Sequence, residues 1–144
     1  MNVGSFFRTA DGFAVEKIFL CGISACPPHK EISKTAIGAD NTVEWEYIKD
    51  VYECVIHLKK QNYDIVGIEQ TDASIMLHNF IPGKNKKYAL LFGNEVEGIS
   101  DSVIDTLDIA IEIPQFGTKH SLNVSVAGGI VIWEFIRKIQ GNFI

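Results

Sequence analysis

Along the chain, apolar runs of strand length alternate with segments whose apolar residues recur every three or four positions. That alternation is the pattern of an α/β domain with a mainly parallel sheet. Residues 4–13 read as a helix, with Phe6, Phe7 and Ala10 at helical spacing and Gly12 as its stop. Residues 17–22 read as a buried strand that ends at Gly22. Residues 23–41 carry Pro, Ser and Gly and read as a loop with a short helix, followed by a short strand over 43–47. Val51–Lys60 is the clearest amphipathic helix. Val51, Cys54, Val55 and Leu58 share one face by the i, i+3, i+4, i+7 rule, while Glu53, Lys59 and Lys60 face water.

Residues 64–69 and 87–92 are further strand-length apolar runs, separated by a turn carrying Lys84, Lys86 and Lys87. Ser100 is placed to cap a short helix with Asp101 in its first turn. Residues 108–113 form the last predicted strand, ended by Pro114. Residues 124–139 form a long C-terminal helix, apolar at Val124, Ala127, Ile130, Val131 and Phe135. With no repeat, linker or low-complexity stretch, the 144 residues are expected to make a single domain with a sizeable core.

Charge changes this picture in one respect. Thirteen Lys plus Arg against eighteen Asp plus Glu give a net charge of −5, which is not the basic excess usual for a nucleic-acid binder. Any such contact must come from a local patch, a groove shared between subunits, or a partner. Cys21, Cys26 and Cys54 are an odd number without CxxC spacing, and no His pair stands at zinc-ligand spacing. Reduced, mostly buried thiols and no bound metal are expected. Lacking a signal peptide or membrane-length apolar run, the protein is expected to be cytoplasmic, with no membrane partner.

Three segments exceed what core or surface requires. In the first, Asn2 to Ala10, Arg8 is one of only two arginines and lies between apolar residues rather than on a charged face. Alone, this is a capped helix with a solvated Arg, but a guanidinium there suits a phosphate, which it grips with two hydrogen bonds. In the second, a strand runs into Gly93, Asn94, Glu95 and Gly98. A glycine at a strand's C-terminal end lets a ligand approach the backbone at the edge where α/β sheets bind ligands. The alternative is a plain strand-turn-helix, and no Lys-Ser/Thr follows Gly98 to make a phosphate loop. In the third, Ile113 to Gly129, the helix start carries Ser121, Asn123 and Ser125, more polar groups than one cap needs. Gly128 and Gly129 inside that helix cost roughly 1 kcal/mol each relative to Ala, so close approach of another backbone is expected there.

Together the three segments resemble the motifs of the SpoU/TrmH family within the SPOUT class of RNA methyltransferases. The family pattern is Asn-x-Gly-x-x-x-Arg-Thr-Ala, then Leu-x-x-Gly-Asn-Glu-x-x-Gly, then Ile-Pro-x-x-Gly-x-x-x-Ser-Leu-Asn-Val-Ser-x-Ala. All three occur in order between Asn2 and Ala127. The resemblance implies a Rossmann-like, mainly parallel sheet with a C-terminal deep trefoil knot, which ordinary topology rules would exclude. It implies a homodimer and S-adenosyl-L-methionine as cofactor, held largely by backbone groups. The matching cofactor positions are Gly93, Ile113 and Leu122, with Glu69, Gln70 and Thr71 as a further strand end. The implied catalytic set is Asn2, Arg8, Glu95, Ser121 and Asn123.

The reaction so implied is an in-line displacement, in which a ribose 2′-hydroxyl oxygen of tRNA, or second of rRNA, attacks the methyl carbon of a sulfonium. Alignment and removal of the hydroxyl proton are then the site's tasks. In the family proposal the motif-one Arg, here Arg8, is the general base. A guanidinium, with a pKa above about 12, is better suited to clamping a phosphate and orienting the hydroxyl. Family members usually carry a strand before the first motif, so this domain is expected either to lack it or to begin short of its natural start. Lys30, Lys34, Lys84, Lys86, Lys87 and Lys119 are the candidate phosphate contacts, with the Lys84 cluster foremost. Two other readings stand beside this one: an inactive RNA-binding or scaffold protein that retains the fold, and a small α/β enzyme using another nucleotide. The four histidines acquire no role.

Overall fold

A computed structural model of the chain describes residues 2–94, 97–119 and 122–141, with the side chain of Asn2 outside that description. The chain forms two compact units, residues 1–54 and 55–144.

The first unit contains α1 (Asn2–Gly12), β1 (Ile18–Cys21), α2 (Lys30–Ala36) and β2 (Trp45–Ile48). Strands β1 and β2 pair in parallel, from Ile18 opposite Trp45 to Cys21 opposite Ile48. Phe7, Ala10, Leu20, Ile32, Ala36, Ala39 and Val43 are buried together as its core. Gly4 of the first motif sits where α1 meets α2: a Cβ there would collide with Thr35 and stand 2.6 Å from the Ile32 carbonyl oxygen. The motif glycine is therefore a packing requirement. Helix α2 is capped by the His29 ring, whose Nδ1 accepts from the Glu31 N–H at 3.1 Å. The buried carboxylate of Asp40 accepts from the Ser33 hydroxyl at 2.9 Å.

Helix α3 (Val51–Lys60) begins in the first unit and continues into the second. Its Cys54, Val55 and Leu58 are buried, as the helical periodicity predicts. The second unit then comprises β3 (Tyr63–Ile68), β4 (Ile75–Met76), β5 (Lys87–Phe92), α4 (Asp101–Ile104), β6 (Ile109–Glu112) and α5 (Val124–Gln140). Its four strands lie in the order β4-β6-β3-β5, every pair parallel. The α/β class with a mainly parallel sheet, read from the sequence, is therefore observed. Asp108 fixes where β6 enters the sheet. Its N–H donates to the Ile65 carbonyl at 2.9 Å, and its Oδ2 accepts from the Ile65 N–H at 2.7 Å.

Val66, Leu77, Ile111, Val131 and Phe135 form the buried centre of this unit. The Phe135 ring packs 5.6 Å from both Phe80 and Tyr88 between centroids, a spacing typical of aromatic pairs. Beside them the Lys138 ammonium donates to the carbonyls of Leu77 (2.9 Å), His78 (3.1 Å) and Phe80 (2.6 Å). It also pairs with Glu134 at 3.1 Å, with its side chain only 12% exposed.

Several local expectations are corrected. Ser100 occupies the N-cap of α4 in extended conformation but makes no side-chain cap bond; its hydroxyl lies 3.4 Å from that of Ser102 instead. Ile130, assigned to the apolar face of α5, is exposed, and the buried face is Gly128, Val131, Ile132 and Phe135. At Gly129 a Cβ would meet nothing within 4 Å, so among the described residues no other segment's backbone approaches it. The two-residue strand β4 has no counterpart in the sequence reading. The three cysteines are free, Cys54 buried and the other two half-buried. The interaction between the Cys54 and Cys21 thiols holds Cys21 below the ordinary range and, together with burial, pushes Cys54 above it. Among the described residues no helix is long and apolar enough to cross a membrane.

Candidate functional site

The strands of the second unit are parallel, so their C-terminal ends lie along one edge, and the loops leaving them converge there. A cavity of about 760 Å³ opens at that edge. This is ample for a nucleoside-sized ligand, since small-molecule sites run about 300–1,000 Å³. Its walls are the segments that follow β3 (Glu69, Gln70), β5 (Gly93, Asn94) and β6 (Ile113 to Phe116), with the start of α5 closing it.

The loop after β5 is folded on itself. Asn94 and Gly98 exchange backbone hydrogen bonds of 3.3 and 2.8 Å, and the Asn94 side-chain oxygen accepts from the Glu97 N–H at 3.3 Å. Gly98 takes the left-handed conformation, with φ +68°. A Cβ on Gly93 would lie 2.5 Å from the Gly98 carbonyl carbon and 2.6 Å from the Ile99 nitrogen. The close approach expected at Gly93 is therefore made by the chain's own loop, and that contact shapes the cavity wall. A Cβ on Gly98 would lie 2.7 Å from Glu69 Oε2, which itself accepts from the Ile99 N–H at 3.0 Å. One carboxylate thus ties the end of β3 to the loop leaving β5.

At the other wall, Asn123 caps α5. Its Oδ1 accepts from the Ser125 N–H at 2.9 Å and from the Ser125 hydroxyl at 2.6 Å. The pair accounts for two of the polar groups that exceed a simple cap in the sequence. Asn123 nonetheless lines the cavity, as do Leu122, Val124 and Ala127.

Of the positions singled out from the sequence, Glu69, Gln70, Gly93, Ile113, Leu122 and Asn123 come together around this one cavity. Thr71 is not among the lining residues: its hydroxyl accepts from the Ala73 N–H at 3.3 Å and its carbonyl faces the Ser74 hydroxyl at 2.9 Å, closing a turn. Glu95 and Ser121 lie outside the described residues. Asn2 opens α1 in the first unit, and Arg8 is exposed on that helix, without an ion pair or hydrogen bond among the described residues. Among the candidate lysines, Lys86 pairs with Asp64 at 3.3 Å and Lys87 lies over the Tyr63 ring at 4.5 Å. Lys30, Lys34, Lys84 and Lys119 are exposed.

The structure adds lining residues that the sequence reading passed over, chiefly Glu112 and Phe116. Glu112 had a signal, as the one charged residue in the apolar run from Ile109 to Ile113. Its Oε1 lies 2.8 Å from the Ser74 hydroxyl. With Glu69 and Glu97 it gives the cavity three carboxylates, and no Lys or Arg stands among the described lining residues. Such a wall favours a ligand carrying positive charge. No group of three or more His, Cys, Asp or Glu among the described residues is placed to hold a metal.

Comparison with known proteins agrees with this geometry. The chain matches the SpoU rRNA Methylase family over residues 1–133. It is 31% identical over 140 residues to the tRNA (guanosine(18)-2′-O)-methyltransferase TARBP1 of Mus musculus, covering 95% of this chain and 9% of that protein. It is 30% identical over 137 residues to the 23S rRNA (guanosine-2′-O-)-methyltransferase RlmB of Neisseria meningitidis, covering 95% of this chain and 54% of the relative. The chain thus spans about half the length of the bacterial relative and less than a tenth of the mouse one. Among solved structures it superposes on the A. aeolicus TrmH/SpoU tRNA modifying enzyme with a TM-score of 0.84 and 26% identity, over 96% of this chain and 69% of that one. An AdoMet-bound rRNA methyltransferase from Sinorhizobium meliloti gives a TM-score of 0.85 at 26% identity, over 94% and 51% respectively. The three motifs, the cavity that the second and third of them line, and the fold agree, and the chain belongs to the SpoU rRNA methylase family.

Proposed function

We propose that the protein transfers a methyl group from S-adenosyl-L-methionine to a ribose 2′-hydroxyl of structured RNA, tRNA first and rRNA second. The observation that carries this reading is the cavity at the strand ends, built by the second and third motifs and lined by acidic charge. Its size and backbone-rich loops fit the cofactor, and its carboxylates fit a ligand with a sulfonium and an ammonium group. When bound, the cofactor supplies an electrophilic methyl on a good leaving group.

The chain's own residues then hold and align. The loop after β5, fixed by Glu69, and the segment Ile113 to Gln115 would hold the cofactor through their backbone groups, with Leu122 lining the same cavity. Arg8, exposed and without a partner among the described residues, grips a substrate phosphate and orients the attacking hydroxyl. Asn2, Glu95, Ser121 and Asn123 position the reacting groups. Holding the hydroxyl in line removes much of the entropic barrier.

The same reading includes a homodimer and a knotted C-terminal region. Val126, Ile130 and Trp133 recur on one face of α5 and are 51%, 38% and 46% exposed, an apolar stripe suited to a second copy of the chain. The placement of β6 between β3 and β4 supports the threading.

The test is incubation with methyl-labelled S-adenosylmethionine and unmodified tRNA and rRNA pools, beside Arg8→Ala. Label entering RNA with the wild type, and lost in the variant while cofactor affinity holds, supports the proposal. Cofactor binding without transfer to either pool favours an inactive RNA-binding protein. Displacement of the cofactor by ATP or NAD favours an enzyme of another nucleotide.

A further inference from the structure

We propose that Phe116 is a stacking platform for a base of the RNA substrate at the mouth of the cofactor cavity, an inference that rests on the methyltransferase reading above. Phe116 lines the cavity yet is 95% exposed. Every other described phenylalanine is buried or half-buried. An apolar ring held in water gains nothing from the fold, and a partner that covers it supplies that gain.

Among the described residues the chain's own loop does not provide one. Gly117, Thr118 and Lys119 follow as exposed residues, and a Cβ on Gly117 would meet nothing within 4 Å. The ring protrudes at the rim, which suits it poorly as a cavity floor for the cofactor. It also lies outside α5, the helix that carries the apolar stripe assigned to the second copy.

An RNA base meets both conditions. The base is bonded to C1′ of the ribose, beside the carbon that bears the 2′-hydroxyl. A ribose presented to the methyl group therefore brings its base to the same rim. Single-stranded RNA is commonly held by aromatic rings on which bases stack, with cations nearby for the phosphates. Lys119, exposed three residues along, supplies such a cation in a chain whose net charge is −5.

The experiment compares Phe116→Ala, Phe116→Leu and Phe116→Tyr with the wild type, using unmodified tRNA and rRNA transcript pools. It reads KM for RNA, kcat, cofactor affinity by calorimetry and oligomeric state by sedimentation. Loss of the ring in the Ala and Leu variants is expected to raise KM about ten-fold, and Tyr to restore it. Cofactor affinity and oligomeric state are expected to stay unchanged. An active wild type with KM unaltered in Phe116→Ala overturns the inference alone. So does weakened cofactor binding, which makes the ring a cavity wall, or dissociation, which makes it a subunit contact. A wild type that labels neither pool overturns the methyltransferase reading and this inference with it.

Discussion

The carboxylate of Glu69 accepts a hydrogen bond from the Ile99 N–H at 3.0 Å, so the end of β3 holds the end of the loop that leaves β5. Glu69 is thereby a positioning residue for the cavity wall. Glu69→Ala leaves that N–H without its partner and is expected to cost about 1–2 kcal/mol of stability. Cofactor affinity should fall more steeply than stability, because the freed loop forms the wall. Calorimetric titration beside a melting curve checks this; equal affinities would refute it.

Gly93 and Gly98 meet at the same place for different reasons. At Gly93 the obstacle to a Cβ is backbone, which cannot swing aside; at Gly98 it is the Glu69 carboxylate together with φ +68°. Gly93→Ala is therefore expected to abolish cofactor binding. Gly98→Ala should lower stability by roughly 1–2 kcal/mol, from strain in the left-handed region. Binding and denaturation measured on both variants give the order of severity, and a fully competent Gly93→Ala would contradict the geometry.

The apolar stripe on α5 gives a test of assembly. A charge placed in a buried subunit contact is strongly unfavourable, whereas a charge on a solvated helix face is nearly silent. Ile130→Asp is expected to convert a dimer to a monomer in sedimentation with little change in helix content. A wild type already monomeric at micromolar concentration would remove the dimer from the proposal.

At the far end of α5, Glu134 receives bonds from Arg137 at 2.9 Å and from Lys138 at 3.1 Å. The Arg137 bond chiefly holds its carboxyl below the ordinary carboxylate range; burial opposes it, and the Lys138 bond and the charges of both cations add to the lowering. A lowered folded pKa adds stability that is full above the unfolded value of about 4.3 and lost as pH falls through the folded value. The stability gap between wild type and Glu134→Gln should be flat from neutral pH to about 5 and close in more acid solution. Lys138→Met, which strips three carbonyls of their donor, should cost about 2–3 kcal/mol at neutral pH. Urea titrations across pH check both.

Much of this arrangement was legible in the residues. Helix α3 announced itself because Cys54, Val55 and Leu58 recur at helical spacing, and β3, β5 and β6 because a strand buried on both faces reads as an apolar run. The site was legible through the second and third motifs, which place Gly93, Ile113, Leu122 and Asn123 at one sheet edge. What stayed hidden depends on tertiary partners. Strand β4 is two exposed residues, Ile75 and Met76, too short for any periodicity. Lys138 reads as an ordinary basic residue near a helix end, and only the fold brings the carbonyls of Leu77, His78 and Phe80 to it. Glu69 reads as a ligand group, but its Oε2 accepts from the Ile99 N–H, thirty residues along the chain. Ser100 has the right type and place for a cap, and its hydroxyl turns to Ser102 instead.

The central claim is that the methyl group is delivered to a ribose 2′-oxygen, and alkaline digestion of labelled RNA tests it most directly. Alkali cleaves RNA through attack of the 2′-hydroxyl on the neighbouring phosphate, so a nucleotide methylated at that oxygen survives joined to its neighbour. After reaction with methyl-labelled S-adenosylmethionine, the label is expected in alkali-resistant dinucleotides, and to vanish from them in Arg8→Ala. Label in single nucleotides would place the methyl on a base and contradict the account.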